Sequence, residues 1–235
     1  MQGDDKMLGV LGGMGPLASA HFMVRLTQLT PAVRDQDHVP AVLWSDPRVP
    51  DRTVADPTGE ADPLPWLLRG IDGLERAGCG AIAIPCNTAH RWYDAMRAHA
   101  RVPVLHIVDA AAAELRGMRT GSARIGVMAT QAALGMRLYQ DRLGALGWDC
   151  LVPSQDEMDR LVSPSIGLVK LNRMAEAYAP VVQVVQSLAA RGATSVVLGC
   201  TEIPLAIQAG PTPDLPIVDT IDALARAAIA WARAW

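Results

Sequence analysis

The feature that most constrains this chain is a short apolar run ending in a cysteine, which occurs twice. Residues 81–84 lead through a proline to Cys86, and residues 195–198 lead through a glycine to Cys200. An apolar run of this length, bounded by turn residues and followed by a helix-compatible stretch, is typical of a buried strand. Each cysteine is therefore predicted to lie at the carboxyl end of a strand, where α/β proteins bind their ligands.

The spacing of the two cysteines belongs to a longer internal repeat. Other landmarks recur at nearly the same offset: Gly78 and Gly192 at 114, as for the cysteines, Gly9 and Gly126 at 117, and positions 102–104 and 215–217 at 113. Such a period indicates two halves of similar topology. If the halves face each other, both cysteines point into one cleft.

Strand-like and helix-like segments alternate along both halves, which predicts an α/β fold. We predict two pseudo-symmetric domains, each a mainly parallel sheet flanked by helices, with the active site in the cleft between them. The first comprises residues 1–112, with the C-terminal helix 218–235 packing back on it, and the second residues 113–217. Strands are predicted at 7–11, 39–44, 81–84, 102–109 (strand and loop), 125–130, 148–152, 195–198 and 216–219. Helices are predicted at 16–30, 66–77, 89–100, 110–118, 134–146, 156–162 and 168–191 (around a break at Pro164), and 221–235.

Composition excludes several classes of function. The formal net charge is −3, which provides no basic field for nucleic acid or an anionic membrane surface. Lys6 and Lys170 are the only lysines, which disfavours a pyridoxal phosphate enzyme because that cofactor needs a Schiff-base lysine. The four cysteines form no C-x-x-C pair and show no ligand spacing for zinc. We expect no metal and no organic cofactor.

The chain also lacks the sequence signals of a secreted or membrane protein. Residues 1–6 have neither the charge layout nor the apolar region of a signal peptide, and no apolar run is long enough to span a bilayer. We therefore expect a cytoplasmic protein with reduced thiols.

A glycine-rich turn follows the first predicted strand. Gly12, Gly13 and Gly15 surround Met14, but their spacing is not G-x-G-x-x-G, and no acidic residue follows the next strand at the required distance. The turn is thus interpreted as a tight strand-to-helix connection, not a dinucleotide site, although its backbone N–H groups could bind an anion.

A long polar loop between residues 45 and 65 contains Arg52. Loops of this length in compact domains are often functional, and a guanidinium there can bind a carboxylate in a bidentate manner. The alternative is a solvated surface arginine.

A pair of opposed cysteines permits a specific chemistry. One thiolate can remove a proton from a carbon acid while the other thiol returns a proton to the opposite face, which inverts the stereocentre without a cofactor. Asn87, Thr88 and Thr201, each close behind a cysteine, can bind a carboxylate and stabilise the developing enediolate. The other two cysteines, Cys79 and Cys150, are interpreted as buried apolar filler.

Four motifs together resemble the aspartate/glutamate racemase family. They are the stretches 12–16 (GGMGP), 50–53 (PDRT), 85–90 (PCNTAH) and 199–203 (GCTEI). The resemblance covers nearly the whole chain and implies a cofactor-independent amino-acid racemase, commonly a homodimer, acting on a small-molecule amino acid. It implies that Cys86 and Cys200 are the acid/base pair, that Asn87, Thr88 and Thr201 hold the α-carboxylate, and that Met14 lines the pocket.

The resemblance also suggests an acidic substrate side chain. Family members that act on acidic amino acids bind the distal carboxylate with an arginine, here Arg52, and a lysine, for which Lys170 is the counterpart. The fourth motif adds Glu202 to the expected substrate-binding residues. A T-x-x-T motif adds Thr130, although Ala133 replaces its second threonine.

These residues predict racemisation of aspartate, with glutamate as a second candidate substrate. Two alternatives stay open. One is a sister enzyme of the maleate isomerase, hydantoin racemase or arylmalonate decarboxylase type. The other is a carboxylate-binding protein without turnover.

Overall fold

A computed structural model describes residues 6–53, 62–118 and 124–234. Parallel strands alternate with helices along these ranges, which confirms the predicted α/β class. The strands are Leu8–Gly12 (β1), Ala41–Ser45 (β2), Ala81–Ala83 (β3), Arg124–Ala129 (β4), Asp149–Leu151 (β5), Val196–Gly199 (β6) and Ile217–Asp219 (β7). The α-helices are Pro16–Leu29 (α1), Leu64–Arg76 (α2), Tyr93–His99 (α3), Ile107–Gly117 (α4), Gln131–Gly135 (α5), Leu138–Gly144 (α6), Gln155–Glu157 (α7), Ser163–Lys170 (α8), Met174–Ala190 (α9), Ile203–Ile207 (α10) and Thr220–Arg233 (α11). Shorter helical turns are 3₁₀ at Asp35–Asp37 and Thr88–Trp92 and π at Met158–Val162.

The chain divides into two compact units. The first combines Met1–Ala110 with Ile221–Trp235, and the second comprises Ala111–Thr220. In the first unit the strand order is β2-β1-β3, all parallel, with a further parallel bridge between Ile82 and Val104. In the second unit the order is β5-β4-β6-β7, again all parallel.

The strand registers confirm the internal repeat. Gly9 of β1 pairs with Ile82 of β3, and Gly126 of β4 pairs with Val196 of β6. These are the same pairs displaced by the repeat offsets. The match extends to the strand on the other side of each cysteine strand. The parallel bridge between Ile82 and Val104 is equivalent to the pairing of Val196 with Ile217.

The repeated glycines allow a helix to pack directly on each central strand. A Cβ at Gly9 would lie 3.1 Å from Cβ of Leu74 on α2, and one at Gly126 would lie 3.2 Å from Cδ1 of Leu188 on α9. Such distances are tighter than ordinary side-chain contacts, so a larger residue would push the helix away from the sheet. Glycine is therefore required twice for the same reason.

The C-terminal helix α11 is fastened to the first unit by polar contacts. Nε and Nη2 of Arg25 on α1 donate to the two carboxylate oxygens of Asp222 at 2.5 and 2.7 Å. Nη2 of Arg233 donates to the carbonyl of Pro31 at 2.6 Å, and Nζ of Lys6 to that of Ala234 at 2.6 Å. The pair is bidentate and partly buried, which gives a charge-assisted contact of defined geometry between α1 and α11.

Several predicted element boundaries were wrong. The predicted strand 102–109 contributes only the bridge at Val104, and α4 begins at Ile107 because imidazole nitrogens cap its first N–H groups. The predicted helix 134–146 is two helices, separated where Arg137 adopts a left-handed φ of 58°.

Two further differences concern helices. The predicted break at Pro164 is absent, since Pro164 occupies the first turn of α8, where its missing N–H costs nothing; the break comes at Asn172, with φ of 61°. The predicted helix 89–100 begins as a 3₁₀ turn and becomes α-helical only at Tyr93. Positions 54–61 of the predicted loop and the last residue of the predicted C-terminal helix lie outside the described residues.

Candidate active site

The turn after β3 carries the first candidate cysteine. Ile84 is fully buried, and the N–H of Cys86 donates to its carbonyl at 2.8 Å, which closes a tight turn at the end of the strand. Cys86, Asn87 and Thr88 are all buried, with 5%, 2% and 5% of their surface exposed. An amide and a hydroxyl are thus held beside a thiol within an otherwise apolar core, and buried polar groups of this kind need hydrogen-bond partners.

His90 forms hydrogen bonds that connect this turn to the start of α4. Its Nδ1 lies 2.9 Å from the carbonyl oxygen of Cys86, and its Nε2 lies 3.2 Å from the backbone nitrogen of Ile107. The side chain is 3% exposed and its ring contacts those of Tyr93 and His106. The sequence contained a signal for this contact, because a residue four positions after Cys86 on a helical turn can reach back to the carbonyl of Cys86. We did not assign His90 a role from the sequence.

The turn after β6 carries the second candidate cysteine. Cys200, Thr201 and Glu202 are 4%, 2% and 7% exposed. The thiol of Cys200 donates to Oε2 of Glu202 at 3.0 Å, and the hydroxyl of Thr201 lies 3.4 Å from the same oxygen. The carboxylate of Glu202 therefore contacts Cys200 directly, and its substrate-binding role stays a prediction.

A buried tyrosine packs behind Cys200. The ring of Tyr139 would lie 2.8 Å from a Cβ at Gly199, so glycine is required for the strand and the ring to approach. Burial raises the pKa of the Tyr139 hydroxyl far above its usual value, with smaller contributions in the same direction from Cys200 and Asp219 and an opposing hydrogen bond with Thr220. The phenol therefore stays protonated at any physiological pH.

Met14 lies in the glycine turn between β1 and α1. It is 3% exposed and belongs to the same buried cluster as Cys86 and Val49. Gly13, with φ of 92°, packs so closely on the backbone of Asp46 that a Cβ would lie 2.4 Å from the carbonyl oxygen of Asp46. The turn is thus the tight strand-to-helix connection that the sequence favoured.

Arg52 is partly buried on the loop that follows β2. Its Nη1 donates to the carbonyls of Val49 and Pro50 at 3.2 and 3.0 Å. Its Nε is buried and has no hydrogen-bond partner within the described chain, from which 54–61 are missing. These carbonyl contacts fix the guanidinium on the loop, and the Nε–H is a donor that a ligand could use.

Thr130 and Lys170 occupy helix termini in the second unit. The hydroxyl of Thr130 accepts a hydrogen bond from the N–H of Ala133 at 3.1 Å, so this side chain is the N-cap of α5. Lys170 is the last residue of α8 and is exposed. Their substrate-binding roles stay predictions.

The two remaining cysteines, Cys79 and Cys150, lie outside the two candidate turns. Burial raises the pKa of the Cys79 thiol, and it raises the pKa of Cys150 to about 11, with a smaller contribution from Asp149. Both thiols are therefore protonated and weakly nucleophilic at neutral pH. All four cysteines are free thiols.

The described ranges contain neither a cluster of metal-ligating side chains nor a membrane-spanning helix. Across residues 6–53, 62–118 and 124–234, no three or more His, Cys, Asp or Glu side chains gather closely enough to hold a metal ion. In the same ranges, no helix has the length and apolarity needed to cross a membrane.

The structure thus gathers the candidate residues into two polar turns at the carboxyl ends of equivalent strands. In the first unit, Cys86, Asn87 and Thr88 share one turn, with Met14 in the same core cluster. In the second unit, Cys200, Thr201 and Glu202 share the equivalent turn. The chain is therefore a two-domain α/β protein. Each unit has a parallel sheet, and in each a thiol and hydrogen-bonding groups follow the equivalent strand.

Comparison with known proteins identifies the family. The family model described as Asp/Glu/Hydantoin racemase matches residues 11–228. The chain is 25% identical over 228 residues to the broad specificity amino-acid racemase RacX of Bacillus subtilis (strain 168), covering 95% of this chain and 96% of that protein. It is 28% identical over 226 residues to a glutamate racemase of Ralstonia pickettii (strain 12J), covering 92% and 71%. Among solved structures, Picrophilus torridus aspartate racemase superposes with a TM-score of 0.84 at 31% identity, covering 97% of this chain and 94% of that one.

The chain therefore belongs to the Asp/Glu/Hydantoin racemase family, and the resemblance noted in its sequence is confirmed. Its relatives differ among themselves in substrate, since their names specify broad specificity, glutamate and aspartate.

Proposed function

We propose that this protein racemises an acidic amino acid, aspartate and secondarily glutamate, by two-cysteine acid/base catalysis without a cofactor. The observation that carries the proposal is the recurrence of a buried cysteine, at the end of the equivalent strand, in each of two repeated α/β units. Repetition of a fold explains repeated strands and glycines. It does not by itself explain why the same reactive side chain follows both strands.

In the proposed reaction, the thiolate of one cysteine removes the α-proton, and the electron pair passes into the α-carboxylate to form an enediolate. The thiol of the other cysteine then delivers its proton to the opposite face of Cα, which gives the enantiomer. The first cysteine ends as a thiol and the second as a thiolate, so the product leaves an enzyme ready for the reverse reaction. No electrons are transferred, and proton exchange with solvent restores the starting form.

The contact between Cys200 and Glu202 supports unequal resting states for the two bases. A thiol that donates to a carboxylate at 3.0 Å is stabilised in its protonated form, because a thiolate there would face a like charge. Cys200 is thus suited to begin as the acid. Asn87, Thr88 and Thr201 would donate hydrogen bonds to the α-carboxylate, whose negative charge grows in the transition state.

The proposed acidic substrate rests on Arg52 and Lys170. A distal carboxylate would accept hydrogen bonds from Arg52, whose buried Nε has no partner in the described residues, and would be attracted by Lys170. The resemblance of the sequence to the acidic-substrate members implies these two roles. The aspartate racemase and glutamate racemase among the similar proteins support the same substrate class.

A chiral assay against a panel of L- and D-amino acids tests the substrate. We expect conversion of aspartate, slower conversion of glutamate and none of neutral amino acids. Replacement of Arg52 by Gln should raise KM for aspartate and for glutamate, because the distal carboxylate loses its guanidinium partner. Equal activity on neutral amino acids would remove the proposed role of Arg52 and Lys170.

Proton exchange tests the reaction itself. In deuterated water, the wild-type protein should incorporate one solvent deuterium at Cα per inversion, and Cys86→Ala and Cys200→Ala should each abolish inversion. Cys79→Ala is the matched control and should retain activity. Ligand binding without exchange would instead indicate a binding protein, and turnover of maleate, a hydantoin or an arylmalonate would indicate a sister enzyme.

Three associated expectations concern cofactors, oligomeric state and location. Activity should survive dialysis against a chelator and the absence of added pyridoxal phosphate. Sedimentation equilibrium should give a homodimer, as is common in the family. Cell fractionation should find the protein in the cytoplasm.

A further inference from the structure

We propose that His90 is a positioning residue for Cys86, acting through the main chain of the turn that carries this cysteine. The inference rests on the proposed function, because it assumes that Cys86 is an acid/base group. His90 does not need to touch the substrate. Its hydrogen bonds connect the carbonyl of Cys86 to the first residue of α4, so the position of the thiol follows the position of that helix.

The hydrogen-bond partners of His90 determine its protonation state. A backbone carbonyl can only accept, so Nδ1 carries a proton and donates it to Cys86. A backbone N–H can only donate, so Nε2 accepts from Ile107 and carries no proton. The imidazole is therefore neutral, in the Nδ1–H tautomer, with each nitrogen satisfied from a different direction.

The surroundings of His90 favour this neutral form. The ring of His106 lies 4.8 Å away, and its Nδ1 accepts from the N–H of Val108 at 3.1 Å, so two imidazoles cap the first two N–H groups of α4. Tyr93 lies against both rings, at 6.0 and 4.4 Å between centroids. A positive charge on either imidazole would be buried and would face the positive end of the helix dipole.

The second unit fixes its cysteine differently. The position equivalent to His90, 114 residues later, is Pro204, which has neither a side-chain donor nor an acceptor. Cys200 is instead held through its thiol by Glu202, whose own equivalent in the first unit is Thr88. The repeat has thus diverged at the residues that contact the cysteines: His90 donates to the carbonyl of Cys86, whereas Glu202 accepts from the thiol of Cys200.

Two conservative substitutions separate the two hydrogen bonds. In His90→Asn, the amide nitrogen can take the place of Nδ1 and keep the bond to Cys86 while losing the one from Ile107. In His90→Gln, the longer side chain can place its oxygen near Nε2 and keep the bond from Ile107 while losing the one to Cys86. His90→Leu loses both. His99→Asn, at an exposed histidine that pairs with Asp72 in the same unit, is the matched control.

The expected order of activity is wild type, then His90→Asn, then His90→Gln and His90→Leu. A misplaced catalytic group costs on the order of 10²-fold in rate, which is the loss expected in kcat/KM for the Gln and Leu variants. The Asn variant should lose about tenfold or less, because the contact with the Cys86 turn is kept. His99→Asn should match the wild type.

A base-specific readout distinguishes positioning from a loss of stability. With substrates deuterated at Cα, displacement of Cys86 should increase the primary isotope effect for one enantiomer only, the one whose proton Cys86 removes. In parallel, peptide mass spectrometry should show an altered rate of alkylation by iodoacetamide at Cys86 in the Gln variant and an unaltered rate at Cys200. Cys200 is a good internal reference because the two cysteines are about equally buried, with 5% and 4% exposed.

Several outcomes would overturn the proposal. One is a Gln variant that stays active while the Asn variant does not. Another is loss of activity in proportion to the loss of folded protein, with both isotope effects and both alkylation rates unchanged. Failure of the proposed function is distinguishable from these, because the wild type would then show no proton exchange. The alkylation rates would still report whether His90 positions Cys86.

Discussion

Gly199→Ala should destabilise the second unit, because the structure leaves no room for a methyl group behind Cys200. A Cβ at this position would lie 2.8 Å from Cε2 of Tyr139, 3.1 Å from its Cζ, and 3.0 Å from Cβ of Ala129. Tyr139 is fully buried and cannot move aside into solvent. The φ of Gly199 lies outside the left-handed region, so alanine adds no backbone strain and the destabilisation comes from crowding.

Two opposing effects determine the magnitude. Overpacking a well-packed core costs about 1–3 kcal/mol. Replacing glycine by alanine also removes conformational freedom from the unfolded chain, which stabilises by about 0.4–1 kcal/mol. Crowding is the larger effect, and we expect a net loss of about 1–2 kcal/mol in the free energy of unfolding. In a protein of this size that loss lowers Tm by about 2–8 °C.

Urea denaturation of the wild type and the variant provides the measurement. Gly167→Ala is the matched control, because it makes the same chemical change within α8, where a Cβ would meet nothing within 4 Å. That substitution should stabilise by about 0.5–1 kcal/mol. The two Gly→Ala changes in one unit should therefore have opposite signs.

A double-mutant cycle with Tyr139→Leu tests whether the tyrosine ring causes the loss. Leucine lacks the Cε2 and Cζ atoms that the new methyl group would meet, so Gly199→Ala should cost less in the Tyr139→Leu background than in the wild type. Strictly additive effects would refute the reasoning, since residues in contact are expected to couple. A Gly199→Ala variant as stable as Gly167→Ala would refute it directly.

The remaining predictions concern ionisable groups. Because burial raises the pKa of Cys150 to about 11, peptide mass spectrometry after iodoacetamide treatment at pH 8 should show little modification there, and rapid labelling would contradict this environment. Burial lowers the pKa of His21 while Asp222 opposes that shift, so Asp222→Asn should lower the pKa further in an NMR titration; an unchanged or higher value would contradict it. Burial acts to raise the pKa of Glu75, but hydrogen bonds from Nε and the backbone N–H of Arg101 outweigh it and hold the pKa below its usual range. The folded pKa is then below the unfolded one, so this stabilisation is present at neutral pH and is lost as pH falls through the folded pKa. Glu75→Gln should cost about 1 kcal/mol at pH 7 and flatten the acid limb of the stability profile, and an unchanged limb would count against the pairing.

Much of the fold could be predicted from the sequence because burial leaves a periodic record. The apolar runs before Cys86 and Cys200, with their constant offset, indicated equivalent parallel strands, and the registers of Gly9 with Ile82 and of Gly126 with Val196 confirm it. Boundaries governed by single contacts were harder. The start of α4 at Ile107 depends on a nitrogen of His90, seventeen residues earlier, and no local pattern reports that contact.

The sequence also contained the family motifs, and with them the candidate cysteines and their polar neighbours. It shows that their neighbours differ, with Pro204 at the position equivalent to His90 and Glu202 at the position equivalent to Thr88, but not which of these side chains contacts each cysteine.

The sequence by itself determined the α/β class, the repeat and the identity of the candidate bases, since strand periodicity and residue spacing are properties of the chain alone. Only the tertiary structure decided that the thiol of Cys200 donates to Glu202 and that the carbonyl of Cys86 accepts from a neutral His90. The physical reason is that a hydrogen bond depends on the donor–acceptor distance to about half an ångström and also on the angle at the hydrogen. Those quantities are set by how strands, turns and helices pack, so equivalent positions in a repeat can acquire different partners.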